Sequence, residues 1–370
     1  MTLKNRQVDF WLVLTILVLL GMGTMMVFSS SSAASYVKLH SSYALLLKQL
    51  LWAGVGIMVM AFFSMIDYHL IGRYTVPIFL VATALLGIVL IPGIGKVLNN
   101  ARRWLGVGGL TFQPSEVMKL AAILLFAYLF SNTKYIKKMK TIVGFFVCLG
   151  IIGVIAFLLA QEPHISCAII IAAVCIVLMF MGGVKLRYFL ATGGIGLAAA
   201  VFAIVKFEYI RTRVLAFLDP FAYASDDGYQ VVQSLLAIGS GGLTGKGLGQ
   251  SVQKFLYLPE PYNDFIFSIL AEELGFLGVI IVLALFGVFI WRGYKIAINA
   301  PDRFGTLTAA GITSIIAVQV LMNIAVVTSS MPVTGVSLPF FSYGGSSLSI
   351  MMINMGLLLN ISKQADYNKF

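Results

Sequence analysis

The chain has 370 residues, 60% of them hydrophobic and 11% charged, with 25 Lys and Arg against 14 Asp and Glu for a net charge of +11. A mean hydropathy of +0.98 places it outside the range of soluble domains. The basic excess, which in a soluble protein would point to nucleic acid, has to be sorted by membrane side before its sign means anything, and no nucleic-acid partner is expected.

A spanning helix needs about 20 mostly apolar residues. Ten such runs occur, at 9–28, 48–66, 75–92, 116–131, 142–160, 165–182, 187–206, 265–292, 306–330 and 343–362. The expectation is an all-α polytopic membrane protein of about ten transmembrane helices, forming a single domain over 1–370. The first run follows Lys4 and Arg6 and precedes Ser29 to Ser35, a pattern shared with secretory signal peptides. Its length, and the nine runs behind it, favour an uncleaved first helix.

With the N-terminus inside, the inner side receives Lys4, Arg6, Arg73, Lys134, Lys137, Lys138, Lys140, Lys185, Arg187, Arg292, Lys295, Arg303, Lys363 and Lys369, 14 of the 25 basic residues. The outward loops mix basic residues with Asp219, Asp226, Asp227, Glu260 and Asp264. By the positive-inside rule the topology is N-in, C-in. Cys148, Cys167 and Cys175 fall inside apolar runs without paired spacing, so neither a disulfide nor a zinc site is expected. His40, His69 and His164 stand singly in loops or at run ends, where a solvated interfacial role is the expectation.

Ionisable groups at the ends of spans are costly, and each is a functional hypothesis. In chain order, Arg102, Arg103 and Trp104 come first, ending the outward loop before the fourth run. Two arginines on the side that disfavours them are either interfacial anchors or the partners of an anion, and phosphate suits a guanidinium fork. Glu116 and Lys119 follow on one helix face at i,i+3, where a structural ion pair is the plain alternative. A long outward loop then runs over 207–264, with a short amphipathic helix at 233–239 and a glycine-rich turn at 239–249. Loops of that length tend to be functional when ordered.

In the eighth run, the 18 residues from Leu274 to Trp291 span about 27 Å and nearly fill the hydrocarbon core. Glu272 and Glu273 then mark the outer boundary. A helix continued to Asp264 lifts that carboxylate a further ~12 Å, to the height of a lipid head. Its plain alternative is a helix cap after Pro261, Tyr262 and Asn263. The last outward loop, 332–347, is dense in Gly, Pro and hydroxyls. Glycine N–H groups and serines can cradle phosphate, although small residues also serve helix packing.

These residues fall in motifs that are specific in combination. They are Asn99 to Trp104, Gln113-Pro-Ser-Glu116 with Lys119, Gly228 to Ser234, and Gly245 to Ser251 with Gln253 and Lys254. After them come Tyr257 to Glu260, Asn263 to Phe267, Glu272-Glu-Leu-Gly275 and Leu338 to Ser347. Over nearly its whole length the chain resembles the shape, elongation, division and sporulation (SEDS) family, the FtsW, RodA and SpoVE proteins. The stretches 257–261 and 332–335 look closer to FtsW and SpoVE than to RodA. There are departures: Asn100 stands where the family commonly has Gly, and His164 stands where the loop Gln-Pro-Asp-Leu-Gly has its aspartate, which leaves that aspartate's role open here, with Glu162 a weak candidate to replace it.

The resemblance implies a peptidoglycan glycosyltransferase that polymerises lipid II on the outer face of the bacterial cytoplasmic membrane, serving cell division or sporulation. Asp264 matches the family's essential aspartate and is expected to be the general base of an inverting transfer. Arg102, Arg103, Lys119 and Lys254 are expected at the pyrophosphate, with Ser342, Ser346 and Ser347 as donors, and Glu116, Gln233 and Glu260 join the substrate-binding set. A divalent cation, Mg or Mn, has a place between pyrophosphate and Asp264, although no metal motif marks one. The implied partners are a class B penicillin-binding protein and other divisome or elongation proteins. The rival readings are a lipid II flippase and a non-catalytic scaffold for that transpeptidase.

Overall fold

Lipid offers the backbone no hydrogen-bond partners, so apolar runs of this length close their amides on themselves as helices. The computed structural model describes residues 8–98, 101–107, 110–206, 215, 217–224 and 228–367. Lys4, Arg6, Asn99, Asn100, Asp226, Asp227 and Lys369 lie outside the described residues, as do residues 207–214 of the long loop.

In chain order the elements are α1 (Phe10–Leu39), α2 (Ala44–Met65), α3 (Tyr68–Arg73), α4 (Thr75–Val89), β1 (Lys96–Leu98), β2 (Ala101–Val107), β3 (Leu110–Phe112) and α5 (Pro114–Ser131). They continue with α6 (Thr133–Met139), α7 (Ile142–Gln161), α8 (Ile165–Met181), α9 (Leu186–Lys206), α10 (Tyr229–Gly241), α11 (Ile266–Asn299), α12 (Arg303–Val327) and α13 (Gly345–Gln364). Among the described residues, seven helices (α1, α2, α5, α7, α11, α12 and α13) are long and apolar enough to cross a membrane. The shorter apolar helices α4 and α8 have 15 and 17 residues, and α9 covers the expected run 187–206.

The core lies where α5, α12 and α13 meet. These three are buried along most of their length, whereas α2, α7 and α11 turn much of their surface outward. Small residues let backbones close up, as membrane helices require: Met60 O of α2 lies 2.6 Å from where a Cβ on Gly356 of α13 would sit. The end of the bundle that holds the N-terminus of α1 is tied by polar contacts. Asp9 caps α1 through Leu12 N at 3.0 Å and accepts Arg292 Nε from the far end of α11 at 3.0 Å. Asp302 caps α12 and accepts the hydroxyl of Tyr68, while Arg303 donates to Phe130 O and Gly182 O, both at 2.8 Å.

Three features depart from the sequence expectations. The fold is not purely helical, because β1, β2 and β3 form an antiparallel sheet in that order, with Val97 opposite Arg102 and Leu105 opposite Phe112. The helix α1 continues through its serines to Leu39: Ser30 donates to Met26 O at 2.7 Å and Ser32 to Ser29 O at 3.0 Å within the helix, Ser29 donates across to Glu273, and Ser31 Oγ has no partner among the described residues. The histidines are not all solvated: His164 is buried, and His69 lies 2.7 Å from Asp67 and 3.6 Å from Asp302. The expected helix at 233–239 lies within the thirteen residues of α10, and α11 breaks at Gly275.

Candidate functional site

At the end of the bundle opposite Asp9, the first turns of α5 and α13 and the residues just ahead of α8 and α11 line one cavity of about 440 Å³. Glu116 and Lys119 near the start of α5 and Ser347 in the first turn of α13 stand on its wall, so the positive dipole ends of these two helices border it. Such a place suits an anion. Its walls carry Arg103 and Trp104 from β2, Gln113, Glu116 and Lys119 from α5, and His164 at the start of α8. Glu260, Tyr262 and Asp264 come from the long loop, Gly335, Ser342 and Gly344 from the last one, and Ser347 and Asn354 from α13. The cavity also runs along α12 past Gln319 to Ile315, twelve residues or about 18 Å from Val327.

Asp264 sits one residue before Phe265, the N-cap of α11, which starts without a side-chain cap. Its backbone carbonyl accepts Asn323 Nδ2 of α12 at 2.7 Å, and the same amide donates to Val336 O at 2.7 Å. Its side chain is turned to Gly335, where an added Cβ would come within 2.9 Å of Oδ2. Burial pushes the carboxyl up to about 6, the neighbouring Glu260 adds to the rise, and Arg103 opposes it. Glu260 itself is held at φ 49°, its carboxylate accepting Asn263 Nδ2 at 2.7 Å.

The strand explains why adjacent arginines part. Side chains alternate across a strand, so Arg103 faces the cavity, whereas Arg102 turns away and donates to Leu90 O at 3.1 Å. Arg103 is held by the chain after α7, donating Nε to Glu162 O at 2.9 Å and Nη2 to Pro163 O. Burial lowers its guanidinium from the ordinary value, and the attraction of Asp264 and Glu162 works against that. Glu162 is fully buried, and among the described residues neither carboxylate oxygen has a hydrogen-bond partner. Burial pushes it up to about 8 despite Arg103, so it is protonated at neutral pH. Burial first, then Arg103 and Lys119, hold His164 at about 3, and it is neutral. Glu116 and Lys119 form the expected i,i+3 pair at 2.7 Å, buried yet on the cavity wall.

Of the residues expected at a site, Asp264, Arg103, Glu116, Lys119, Glu260, Ser342 and Ser347 gather here. The hydroxyl of Ser342 is committed, donating to Asn263 O and accepting Leu338 N, both at 2.7 Å. Arg102, Gln233, Lys254 and Ser346 are not brought to the cavity. An ammonium has three hydrogens, and those of Lys254 go to Gly249 O at 2.6 Å, Glu273 Oε1 at 3.0 Å and Ser29 Oγ at 3.2 Å. Gln319 and Asn354 on the cavity wall, and Asn323 behind Asp264, carry no charge and so do not stand out among the ionisable residues of the sequence. An uncharged amide inside an apolar run was the signal.

A family model described as "Cell cycle protein", that of FtsW, RodA and SpoVE, matches residues 10–367. The chain belongs to the FtsW, RodA and SpoVE family. It is an integral membrane protein, 43% identical over 368 residues to Stage V sporulation protein E of Bacillus subtilis, with 99% of this chain and 100% of that protein covered. A probable peptidoglycan glycosyltransferase FtsW of Geobacter sp. is 40% identical over 96% of each chain. Among solved structures, a chain from work on the structural coordination of polymerization and crosslinking by a peptidoglycan synthase complex has a TM-score of 0.80 at 27% identity, covering 98% of this chain and 99% of its own. The rod shape determining protein RodA of Thermus thermophilus has a TM-score of 0.71 at 26% identity, covering 97% of each chain.

Proposed function

We propose that this SEDS-family protein is a peptidoglycan glycosyltransferase that polymerises lipid II on the outer face of the cytoplasmic membrane, in division or sporulation. On this reading the whole chain is one transmembrane domain of ten spans, N-in and C-in, and the cavity faces outward. The observation that carries it is Asp264, a carboxylate tuned to about 6 in the same cavity as Arg103, Lys119 and the first turns of α5 and α13. A general base works best with a pKa near the operating pH. Neighbouring cations and N–H groups suit a departing diphosphate.

The 4-hydroxyl of one N-acetylglucosamine attacks the anomeric carbon of another unit's N-acetylmuramic acid. The new glycosidic bond forms as the bond to the pyrophosphate oxygen breaks, and undecaprenyl diphosphate leaves with that electron pair. Asp264 takes the hydroxyl proton, and a single displacement inverts the anomeric centre. Arg103, the first turn of α13 and Lys119 hold the leaving diphosphate, while Glu116 keeps Lys119 in place. Ser347 lends a donor, Ser342 joins the last loop to the Asp264 segment, and Glu260 sets the charge that Asp264 feels. If a Mg or Mn ion takes part, Asp264 and Glu260 are the carboxylates that would hold it, and it would supply charge neutralisation to the diphosphate. A class B penicillin-binding protein is the partner that crosslinks the strand.

The second reading is a lipid II flippase, favoured by the reach of the cavity along α12 to Ile315. One experiment separates the two, because detergent removes any need to flip. The protein is purified with its cognate transpeptidase, given labelled lipid II in detergent, and compared with Asp264→Asn. Polymer from wild type and none from the folded, partner-bound variant is the expected result. Equal polymer from both would remove Asp264 from its role, and none from either would favour the flippase.

A further inference from the structure

Glu272 and Glu273 of α11 take no part in the chemistry above, and nor do Lys246 and Lys254. Both carboxylates are fully buried. Glu272 accepts Ser251 Oγ at 2.5 Å, Lys246 Nζ at 2.7 Å, and the amides of Val252 and Gln253 at 3.0 and 3.3 Å. Glu273 accepts Ser29 Oγ of α1 at 2.6 Å, Lys254 Nζ at 3.0 Å and Ser251 N at 3.2 Å. The backbones interlock too: Lys246 N and Gly247 N donate to the carbonyls of Glu272 and Glu273, and Phe276 N and Leu277 N donate to those of Gly242 and Leu243. Gly275 makes room for this at φ 67°, with Gly245 N only 2.2 Å from where its Cβ would be.

The consequence reaches Asp264 through the chain. The segment that carries it leaves this cluster at Val252, bends back through the bond of Leu258 N to Gln253 O, and returns to α11 at Ile266. Both its ends therefore rest on the first two turns of one helix, the form of a compact Ω-loop. Asn323 and Ser342 hold the Asp264 end, and the two carboxylates hold the other.

We propose that Glu272 and Glu273, paired with Lys246 and Lys254, are positioning residues for Asp264, a clamp that closes residues 252–265 onto α11 and keeps the base at the cavity wall. This rests on the reading of Asp264 as the base. It also gives Lys254 a role that excludes diphosphate binding.

The test uses the complex with its transpeptidase and the variants Lys254→Met, Lys254→Arg, Glu273→Gln and Asp264→Asn. It reads kcat, KM for lipid II, the pH dependence of kcat, and hydrogen exchange over residues 251–264. Lys254→Met is expected to speed exchange at Ser251, Val252 and Gln253 and to lower kcat by about 10- to 100-fold with KM unchanged. Its acid limb should move from near 6 towards the ordinary aspartate value of 3.8, as water reaches the carboxylate. Lys254→Arg restores most of the rate. Arg103 from β2, Glu260 from its own loop, Glu116 and Lys119 from α5, His164 before α8, and Tyr262 and Tyr343 face Asp264 unaltered in every variant. A moved limb thus reports solvent access. Where Lys254→Met does not fold, Glu273→Gln, which keeps an acceptor and the volume, is read the same way. A raised KM with an unmoved limb would make Lys254 a substrate ligand, and faster exchange with unchanged kcat would make the cluster purely structural. Either result overturns the proposal. Failure of the base reading is separate, because Asp264→Asn would then polymerise like wild type.

Discussion

Gly335→Ala tests the placement of Asp264 without touching Asp264. A Cβ built on Gly335 lies 2.9 Å from Oδ2, and ordinary contact begins at 3.4 Å, so one of the two must yield by about 0.5 Å. Among the described residues, leaving aside its two chain neighbours, the only other atom within 4 Å of that Cβ is Cγ of the same carboxylate, at 3.7 Å, so the carboxylate is what moves. A misplacement of 1 Å costs about 100-fold in rate. Half of that costs about tenfold, or ~1.4 kcal/mol in the barrier. Initial rates of lipid II polymerisation by the purified complex should fall by that factor in kcat, with KM and the melting temperature close to wild type. A folded Gly335→Ala protein with full kcat would refute the argument that Asp264 acts from this position.

Neighbouring arginines should differ sharply. Arg103→Ala should lower kcat/KM by at least tenfold and weaken inhibition by undecaprenyl diphosphate, whereas Arg102→Ala, whose side chain turns away from the cavity to Leu90 O, should keep kcat/KM within about threefold of wild type. The rate should rise with pH through about 6 as Asp264 ionises, and the kcat profile of the complex checks this. Glu162 titrates from 4.5 up to about 8 on folding, so the folded state binds the extra proton between those values. Stability from this group is therefore present below 4.5 and lost as pH rises through 8. Glu162→Gln should raise the melting temperature at pH 8 and leave it unchanged at pH 4.5, with an upper bound of roughly 4–5 kcal/mol.

Much of the helical frame can be read directly, because a bilayer demands long apolar runs and these announce themselves by composition. Asp264 stood out through its motif rather than its position, because counting helical rise from Trp291 left a cap as the plain alternative and α11 in fact starts at Ile266 and breaks at Gly275. What stayed hidden depends on local geometry. A strand of seven residues at 101–107 leaves little trace among glycines and arginines, and without it nothing separates Arg102 from Arg103. Lys254 looked like a phosphate ligand because its partner Glu273 is 19 residues away and is met only once the chain folds back. His164 looked solvated because a loop residue between spans gives no hint that the loop is buried.

The order of synthesis gives the paired glutamates of α11 a further meaning. Ser29, Lys246 and Lys254 all precede Glu272 and Glu273 in the chain, and at roughly 5–20 residues per second Lys254 leaves the ribosome one to a few seconds ahead of them. An acidic side chain entering a bilayer without a counter-charge meets a penalty of about 3 kcal/mol at mid-depth. Here each of those partners has already been synthesised when the acidic pair emerges. The eighth apolar run therefore follows its own counter-charges out of the ribosome, and a truncated chain ending before Lys254 would lack one of those ammonium groups.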